Sequence, residues 1–179
     1  MFFESVGKVT RAIEQFRRYV LDRIHRFRES GTPSRNAYLA AADQILKRRL
    51  TEKIPGIWEH PPLMLTATLE DGFGHGLEVI HRFAEAAGLR CMPLGLLLEP
   101  ERIVRECRSH RPDFLGMTVL QFDSEDALKG IRKDIPSRTR IVAGGPVFRS
   151  DSGFHQRTGI DRVARDGIDF LKILLNTDL

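Results

Sequence analysis

The sequence predicts a doubly wound α/β fold, with a five-stranded parallel sheet and an N-terminal helical extension. From residue 63 onward, apolar runs of strand length alternate with segments whose apolar residues recur at helical spacing. Glycine-rich turns follow two of these runs, as expected where a strand passes into a helix of a βα unit. Before residue 56 the pattern is helical only. We therefore divide the chain into a helical arm, 1–55, and an α/β domain, 56–179.

The arm begins with a helix that carries a narrow apolar seam. Its members recur every three or four positions and so share one helix face: Val6, Val9, Ile13, Phe16, Val20, Ile24 and Phe27. Such a helix cannot bury its seam alone, so we expect it to pack on the second helix, on the α/β domain or in a homodimer. Ser34 is a suitable cap for a second helix from Arg35, and Pro55-Gly56 ends that helix. Residues 57–62 then form a stiff linker.

Positive charge is concentrated in the arm. Residues 1–53 contain 12 Lys and Arg against 6 Asp and Glu, whereas the remainder contains 16 against 18. A basic arm can contact nucleic acid or anionic lipid, but a solvated helix face is the commoner use, and we expect neither partner. Cys91 and Cys107 form no CxxC motif and are predicted as small core residues. With no signal peptide and no membrane-spanning run, the predicted location is cytoplasmic.

Five apolar segments are predicted as the strands of the sheet. They are residues 63–69, 89–94, 114–120, 140–143 and 160–164. Pro100 suits a first helical turn, while Ser124 and Asp166 are predicted to cap the helices that follow them. A short helical stretch is expected at 151–156. The third strand is apolar on both faces, as in the centre of a parallel sheet.

Three loops at the predicted carboxyl ends of strands carry distinctive residues. In chain order they are Asp71-x-Phe73-x-x-Gly76, Thr118-x-Leu120 and Gly144-Gly145. The carboxyl ends of parallel strands meet at one edge of the sheet, where ligands of open α/β folds bind. The glycines of the first loop allow positive φ and let a ligand approach the backbone, and the next helix offers free N–H groups.

These loops resemble those of the cobalamin-binding domain found in methionine synthase, methylmalonyl-CoA mutase and the corrinoid proteins of anaerobic methyl transfer. That family shows Asp-x-His-x-x-Gly, Ser-x-Leu and Gly-Gly after its first, third and fourth strands. The resemblance extends from about Leu63 to Leu175. It implies a flavodoxin/Rossmann-like frame with the corrin over the carboxyl edge and the nucleotide tail in a slot between sheet and helices. It also implies cobalamin as cofactor and a methyltransferase or other corrinoid-dependent protein as partner.

The resemblance further implies a set of cofactor-binding residues. Gly144 and Gly145 would line the slot, where a side chain would block the tail, and Thr118 and Leu120 would contact the tail base. The full expected set is Asp71, Gly72, Phe73, Gly74, His75, Gly76, Leu94, Thr118, Leu120, Gly144, Gly145 and Pro146.

The sequence departs from the family at the residue that would bind cobalt. The family's histidine supplies the lower axial nitrogen, but this chain has Phe73 there, and Phe73 has no lone pair. Phe73 could cover the lower corrin face without binding the metal, His75 could replace the missing ligand, or the cofactor could have been lost. His75 could also simply cap the next helix. Among these alternatives, His75 is the candidate metal ligand, since its imidazole could supply the nitrogen that Phe73 lacks.

If Phe73 covers the corrin, the missing nitrogen favours the electron-rich Co(I) state, which is the methyl-accepting nucleophile. The predicted function is then a corrinoid carrier for methyl transfer that holds cobalamin base-off, rather than a free-standing catalyst. No Ser/His/Asp or Cys/His set is evident, the dinucleotide fingerprint is absent, and Leu120-Gln121 lacks the Asp of a phospho-receiver domain. The alternative is a cofactor-free interaction or regulatory module on the same fold.

Overall fold

A computed structural model describes residues 2–29, 33–71 and 75–178, leaving out the side chains of residues 2–6, 29 and 75. The strands are β1 Leu63–Thr68, β2 Arg90–Gly95, β3 Phe114–Thr118, β4 Arg140–Gly144 and β5 Arg162–Val163. The helices are α1 Phe2–Glu29, α2 Arg35–Thr51, α3 His75–Ala87, α4 Pro100–His110, α5 Glu125–Asp134, α6 Val147–Ser150, α7 Phe154–Thr158 and α8 Gly167–Leu175, with a 3-10 turn at Phe122–Ser124.

The five strands form one parallel sheet in the order β2-β1-β3-β4-β5. The predicted fold class is confirmed: this is the flavodoxin-like order, with helices on both faces. From β1 the chain adds β2 on one side, and β3, β4 and β5 are then added on the other side. Ligands of such folds bind at the carboxyl edge beside this switch point, between β1 and β3. Among the described residues, no helix is long and apolar enough to cross a membrane.

Most predicted elements are present, and their bounds differ by a few residues. Ser34 caps α2 as predicted, accepting a hydrogen bond from the Ala37 amide, and Asp166 caps α8 through the Asp169 amide at 2.8 Å. The short helix expected at 151–156 is present as α7 but begins at Phe154, because a turn separates it from α6. The Asp151 carboxylate accepts from the Gly153 amide at 2.9 Å and closes that turn.

The two faces of the sheet are covered by different helices. One face packs against α4, α5, α6 and α7 and carries Leu115 and Met117 of β3. The other face packs against α3 and α8 and carries Phe114 of β3. Helices α1 and α2 join the core on this second face, in contact with α8 and α3 respectively.

The apolar seam of α1 is buried by the chain's own α/β domain. Phe16, Val20 and Ile24 are fully buried in the core that also contains Phe83 of α3. Val9, nearer the amino end of α1, is 39% exposed. The hydrophobic core therefore contains residues from both sides of position 55, the predicted boundary between the arm and the α/β domain. The division into arm and domain and the homodimer both stay predictions, and the buried part of the seam has no surface left for a partner.

Several basic residues of the arm are structural rather than solvated. Arg17 donates to the Ile57 carbonyl at 2.9 Å and also to the Leu175 carbonyl at the end of α8. Arg28 pairs with Asp169 at 2.5 Å. Other basic side chains, such as Arg11, are exposed as expected. The guanidinium groups thus tie α1 to both ends of the α/β domain.

The segment predicted as a stiff linker is fixed against the domain. Gly56 and Gly88 cross at close approach, and both have positive φ. A Cβ at Gly56 would stand 2.4 Å from the Ala87 carbonyl oxygen, and one at Gly88 would stand 2.5 Å from the Pro55 carbonyl oxygen. The indole of Trp58 donates to the Thr177 carbonyl at 3.2 Å. The chain entering β1 is therefore anchored before the sheet begins.

We expect Phe16→Ala to destabilise the protein by about 3–5 kcal/mol, because it leaves a cavity in the shared core. Val9→Ala, on the same helix but exposed, should cost less than about 0.5 kcal/mol. Urea unfolding followed by circular dichroism measures both. Equal losses in the two variants would contradict burial of the seam.

Candidate cofactor site

A cavity of about 710 Å³ opens at the carboxyl edge between the sheet and helices α3 and α8. Its volume lies within the range of small-molecule sites, about 300–1,000 Å³. Six of the residues expected to bind the cofactor line it: Gly76, Thr118, Leu120, Gly144, Gly145 and Pro146. The three loops singled out by sequence therefore contribute to one cavity.

The floor of the cavity is formed by small residues of β3 and β4. Gly116, Thr118 and Gly144 lie on the sheet face toward α3 and α8, while Phe114 fills the same face at the amino end of β3. A Cβ at Gly116 would stand 2.2 Å from the terminal methyl carbon of Met64, so a side chain here would require the Met64 side chain to move. The face is thus packed at one end of the strands and open at the other.

Three helices supply the walls. Helix α3 contributes Leu77 and Ile80, and α8 contributes Phe170, which gives the cavity an apolar lining. Helix α2 adds Tyr38, which lies near the Asp166 carboxylate. Burial and the negative charge of Asp166 raise the pKa of Tyr38, so its hydroxyl stays protonated at neutral pH.

The two glycines at the end of β4, Gly144 and Gly145, are required by their own backbone contacts. A Cβ at Gly145, where φ is +135°, would stand 2.0 Å from the Val119 carbonyl oxygen. A Cβ at Gly144 would stand 2.8 Å from the Ala164 carbonyl oxygen. These backbone contacts are a separate reason for glycine at both positions. The expectation that a side chain here would block the slot for the nucleotide tail stays a prediction.

Other expected site residues lie elsewhere or outside the described part of the chain. Leu94 of β2 packs on the opposite sheet face, away from the cavity. Asp71 is exposed at the carboxyl edge. Gly72, Phe73 and Gly74 lie outside the described residues, as does the side chain of His75, whose backbone begins α3. The assignment of His75 as metal ligand stays a prediction.

Hydrogen bonds of Glu70 hold the start of the loop after β1 in place. Ser124 donates its hydroxyl to a Glu70 carboxylate oxygen instead of capping α5 as predicted. Thr68 donates to the Glu70 carbonyl at 2.8 Å. The second Glu70 carboxylate oxygen is buried without a hydrogen-bond partner among the described residues. Glu70 thus links the end of β1 to the 3-10 turn after β3.

His81 holds α3 against the sheet behind the cavity. Its Nε2 lies 2.6 Å from the hydroxyl of Thr66, which is fully buried in β1. Burial lowers the pKa of His81 below its usual 6.5, so the ring is neutral at pH 7. The His81 side chain is half-buried.

Several lining residues were not identified from the sequence. Gly116 had a usable signal, since a glycine inside an apolar strand often marks a close approach. Arg35 and Tyr38 had none, because they lie on a helix before the region of resemblance. Within the described residues, no group of three or more His, Cys, Asp or Glu side chains could hold a metal ion.

The comparisons with known proteins agree with this geometry. The B12 binding domain family model matches residues 63–175. A cobalamin-binding protein from Desulfitobacterium hafniense DCB-2 is 19% identical with a TM-score of 0.71, covering 94% of this chain and 82% of that one. The monomethylamine corrinoid protein of Methanosarcina barkeri is 19% identical with a TM-score of 0.60, covering 78% of this chain and 65% of that one. No curated protein sequence matches.

The fold and the family match define the class of protein. The match covers well over half of the chain, so the chain belongs to the B12 binding domain family. Cobalamin is accordingly the cofactor of this protein.

We expect Gly76→Leu to weaken cobalamin binding at least about tenfold, or 1.4 kcal/mol. A Cβ at Gly76 would make ordinary contact with the Thr118 hydroxyl, at 3.8 Å, so the rest of the leucine would occupy the cavity. Equilibrium dialysis with hydroxocobalamin measures the change. Thermal stability should not fall, because leucine favours helix over glycine.

Gly130→Leu is the matched control for this variant. Gly130 is also helical and has no heavy atom within 4 Å of an added Cβ, but it lies on α5, across the sheet. The Gly130→Leu variant should bind cobalamin as tightly as the parent protein does. Unchanged binding in Gly76→Leu would show that the cofactor does not use this cavity.

The stability of the parent protein should fall as the pH drops below about 6.5, because the unfolded state then binds a proton that buried His81 resists. The contribution is fully present above that pH and is lost as the pH approaches the lowered pKa. His81→Gln should remove this part of the pH dependence in thermal unfolding scans. An unchanged pH profile would contradict the role of the His81–Thr66 contact.

Proposed function

We propose that this protein is a corrinoid carrier serving methyl transfer. It holds cobalamin base-off, with Phe73 at the position where the family has its axial histidine. The supporting observation is the open cavity at the carboxyl edge, lined by Gly76, Thr118 and Gly144 in a chain of the B12 binding domain family. When bound, the cofactor supplies a cobalt centre that carries a methyl group between donor and acceptor.

The residues of the cavity fit the nucleotide tail of cobalamin. Base-off binding requires a place for the tail away from cobalt, and the space between the sheet and α3 is open to the carboxyl edge. The floor carries no large side chain at Gly116 or Gly144. Leu77 and Phe170 provide apolar contacts for a flat base, and the Thr118 hydroxyl can hydrogen-bond to it.

The carrier role leaves the transfer reaction to a second protein. We propose that this partner is a methyltransferase or another corrinoid-dependent protein. Leu96, Leu97 and Phe122 support this, because they are exposed apolar residues on the loops after β2 and β3, at the edge where the cavity opens. Exposed apolar surface beside a ligand site is typical of contact with a partner or cofactor.

Reconstitution with hydroxocobalamin is the direct test of the proposed function. The protein is incubated with the cofactor and desalted, and the visible spectrum is recorded. We expect a retained corrin spectrum in stoichiometric amount, with the base-off form after reduction to Co(II). A colourless protein after desalting would overturn the carrier proposal in favour of a cofactor-free interaction module.

Electron paramagnetic resonance of the Co(II) form tests the axial position. An axial nitrogen splits the cobalt signal into triplets, so we expect none in the parent protein. Phe73→His should introduce them, because Asp71 stands two residues before that position and can orient the ring. His75→Ala is the matched control and should leave the spectrum unchanged. Triplets in the parent that vanish in His75→Ala would make His75 the ligand instead.

A further inference from the structure

Positive charge is unevenly distributed around the cavity. Three arginines line it, one each from α2, α6 and the loop between β5 and α8: Arg35, Arg149 and Arg165. Asp166 is the one acidic residue among the described lining residues. Its carboxylate already caps α8 by accepting from the Asp169 amide. The cavity therefore has an excess of positive charge that its own lining does not neutralise.

The three guanidinium groups are not equally available. Arg35 pairs with Glu78, and Arg165 pairs with Asp169 at 2.5 Å. Arg149 is exposed and has no carboxylate or carbonyl partner for its side chain among the described residues. It follows Gly144-Gly145-Pro146 by three residues, on the short helix after β4. Arg149 is thus a free cation at the rim of the cavity.

We propose that Arg149 forms an anion subsite that binds the phosphodiester of the cobalamin nucleotide tail. This inference rests on the proposed function. Guanidinium presents N–H donors in a fixed planar fork that matches phosphate oxygens, and charge-assisted hydrogen bonds of this kind are stronger than neutral ones. Arg35 and Arg165 keep their own carboxylate partners, so Arg149 is the guanidinium of the three that is available to the phosphate.

The subsite predicts which corrinoids the protein selects. Cobalamin carries the phosphodiester, whereas cobinamide lacks the whole nucleotide and cobinamide phosphate keeps a phosphate without the base. The parent protein should therefore bind cobinamide phosphate more tightly than cobinamide. The difference separates recognition of the phosphate from contacts with the base.

The experiment measures dissociation constants of these three corrinoids by calorimetry for the parent protein, Arg149→Gln and Arg149→Lys. We expect Arg149→Gln to weaken cobalamin and cobinamide phosphate about tenfold, or 1.4 kcal/mol, and to leave cobinamide unchanged. Arg149→Lys should fall between, because lysine keeps the charge but loses the planar fork. Raising the salt concentration from about 0.05 to 0.5 M should weaken cobalamin binding in the parent more than in Arg149→Gln.

Arg11→Gln is the control for net charge, because Arg11 is exposed on α1 and does not line the cavity. It should bind all three corrinoids as the parent does. Unchanged cobalamin binding in Arg149→Gln, with cobalamin still bound by the parent, would overturn the anion subsite alone. Failure of the parent to bind any corrinoid would overturn the proposed function and the subsite with it.

Discussion

The structure depends on a gradient of side-chain size along one face of the sheet. On the face toward α3 and α8, β3 presents Phe114, then Gly116, then Thr118. The large residue packs in the core shared with α1, and the two small ones line the cavity between the sheet and helices α3 and α8. A parallel sheet buried on both faces would ordinarily be filled throughout. The cavity exists because these positions do not fill it.

The glycines around the cavity serve two different purposes. Gly145 and Gly144 allow the backbones after β3, β4 and β5 to approach closely, so they set the position of the loop rather than the width of the cavity. Gly76 meets no such limit, and its missing side chain is open volume. The residues that hold the cavity open are thus distinct from those that hold its rim in place.

The sequence was sufficient for the sheet and for much of the cavity. Apolar runs and glycine turns identified the strands. Thr118 and Gly76 both line the cavity, because loops after parallel strands converge at one edge of the sheet. Arg35 and Tyr38 could not be found, since only tertiary packing brings α2 to the cavity. The sequence did not indicate which face of the sheet Leu94 occupies, because side chains of a strand alternate between faces, and it packs on the face away from the cavity.

Helices α1 and α2 share one hydrophobic core with the sheet. The unit that folds is therefore larger than the region that matches the family. The match begins at residue 63, whereas Phe83 and Phe114 are buried together with Phe16 and Ile45 from the preceding helices. Hydrophobic clusters of this kind open and close as cooperative units in hydrogen exchange. The helices before residue 63 and the sheet after it should therefore gain and lose amide protection together. A fragment cut at the boundary of sequence similarity would present a wide apolar face to solvent and would be prone to aggregate.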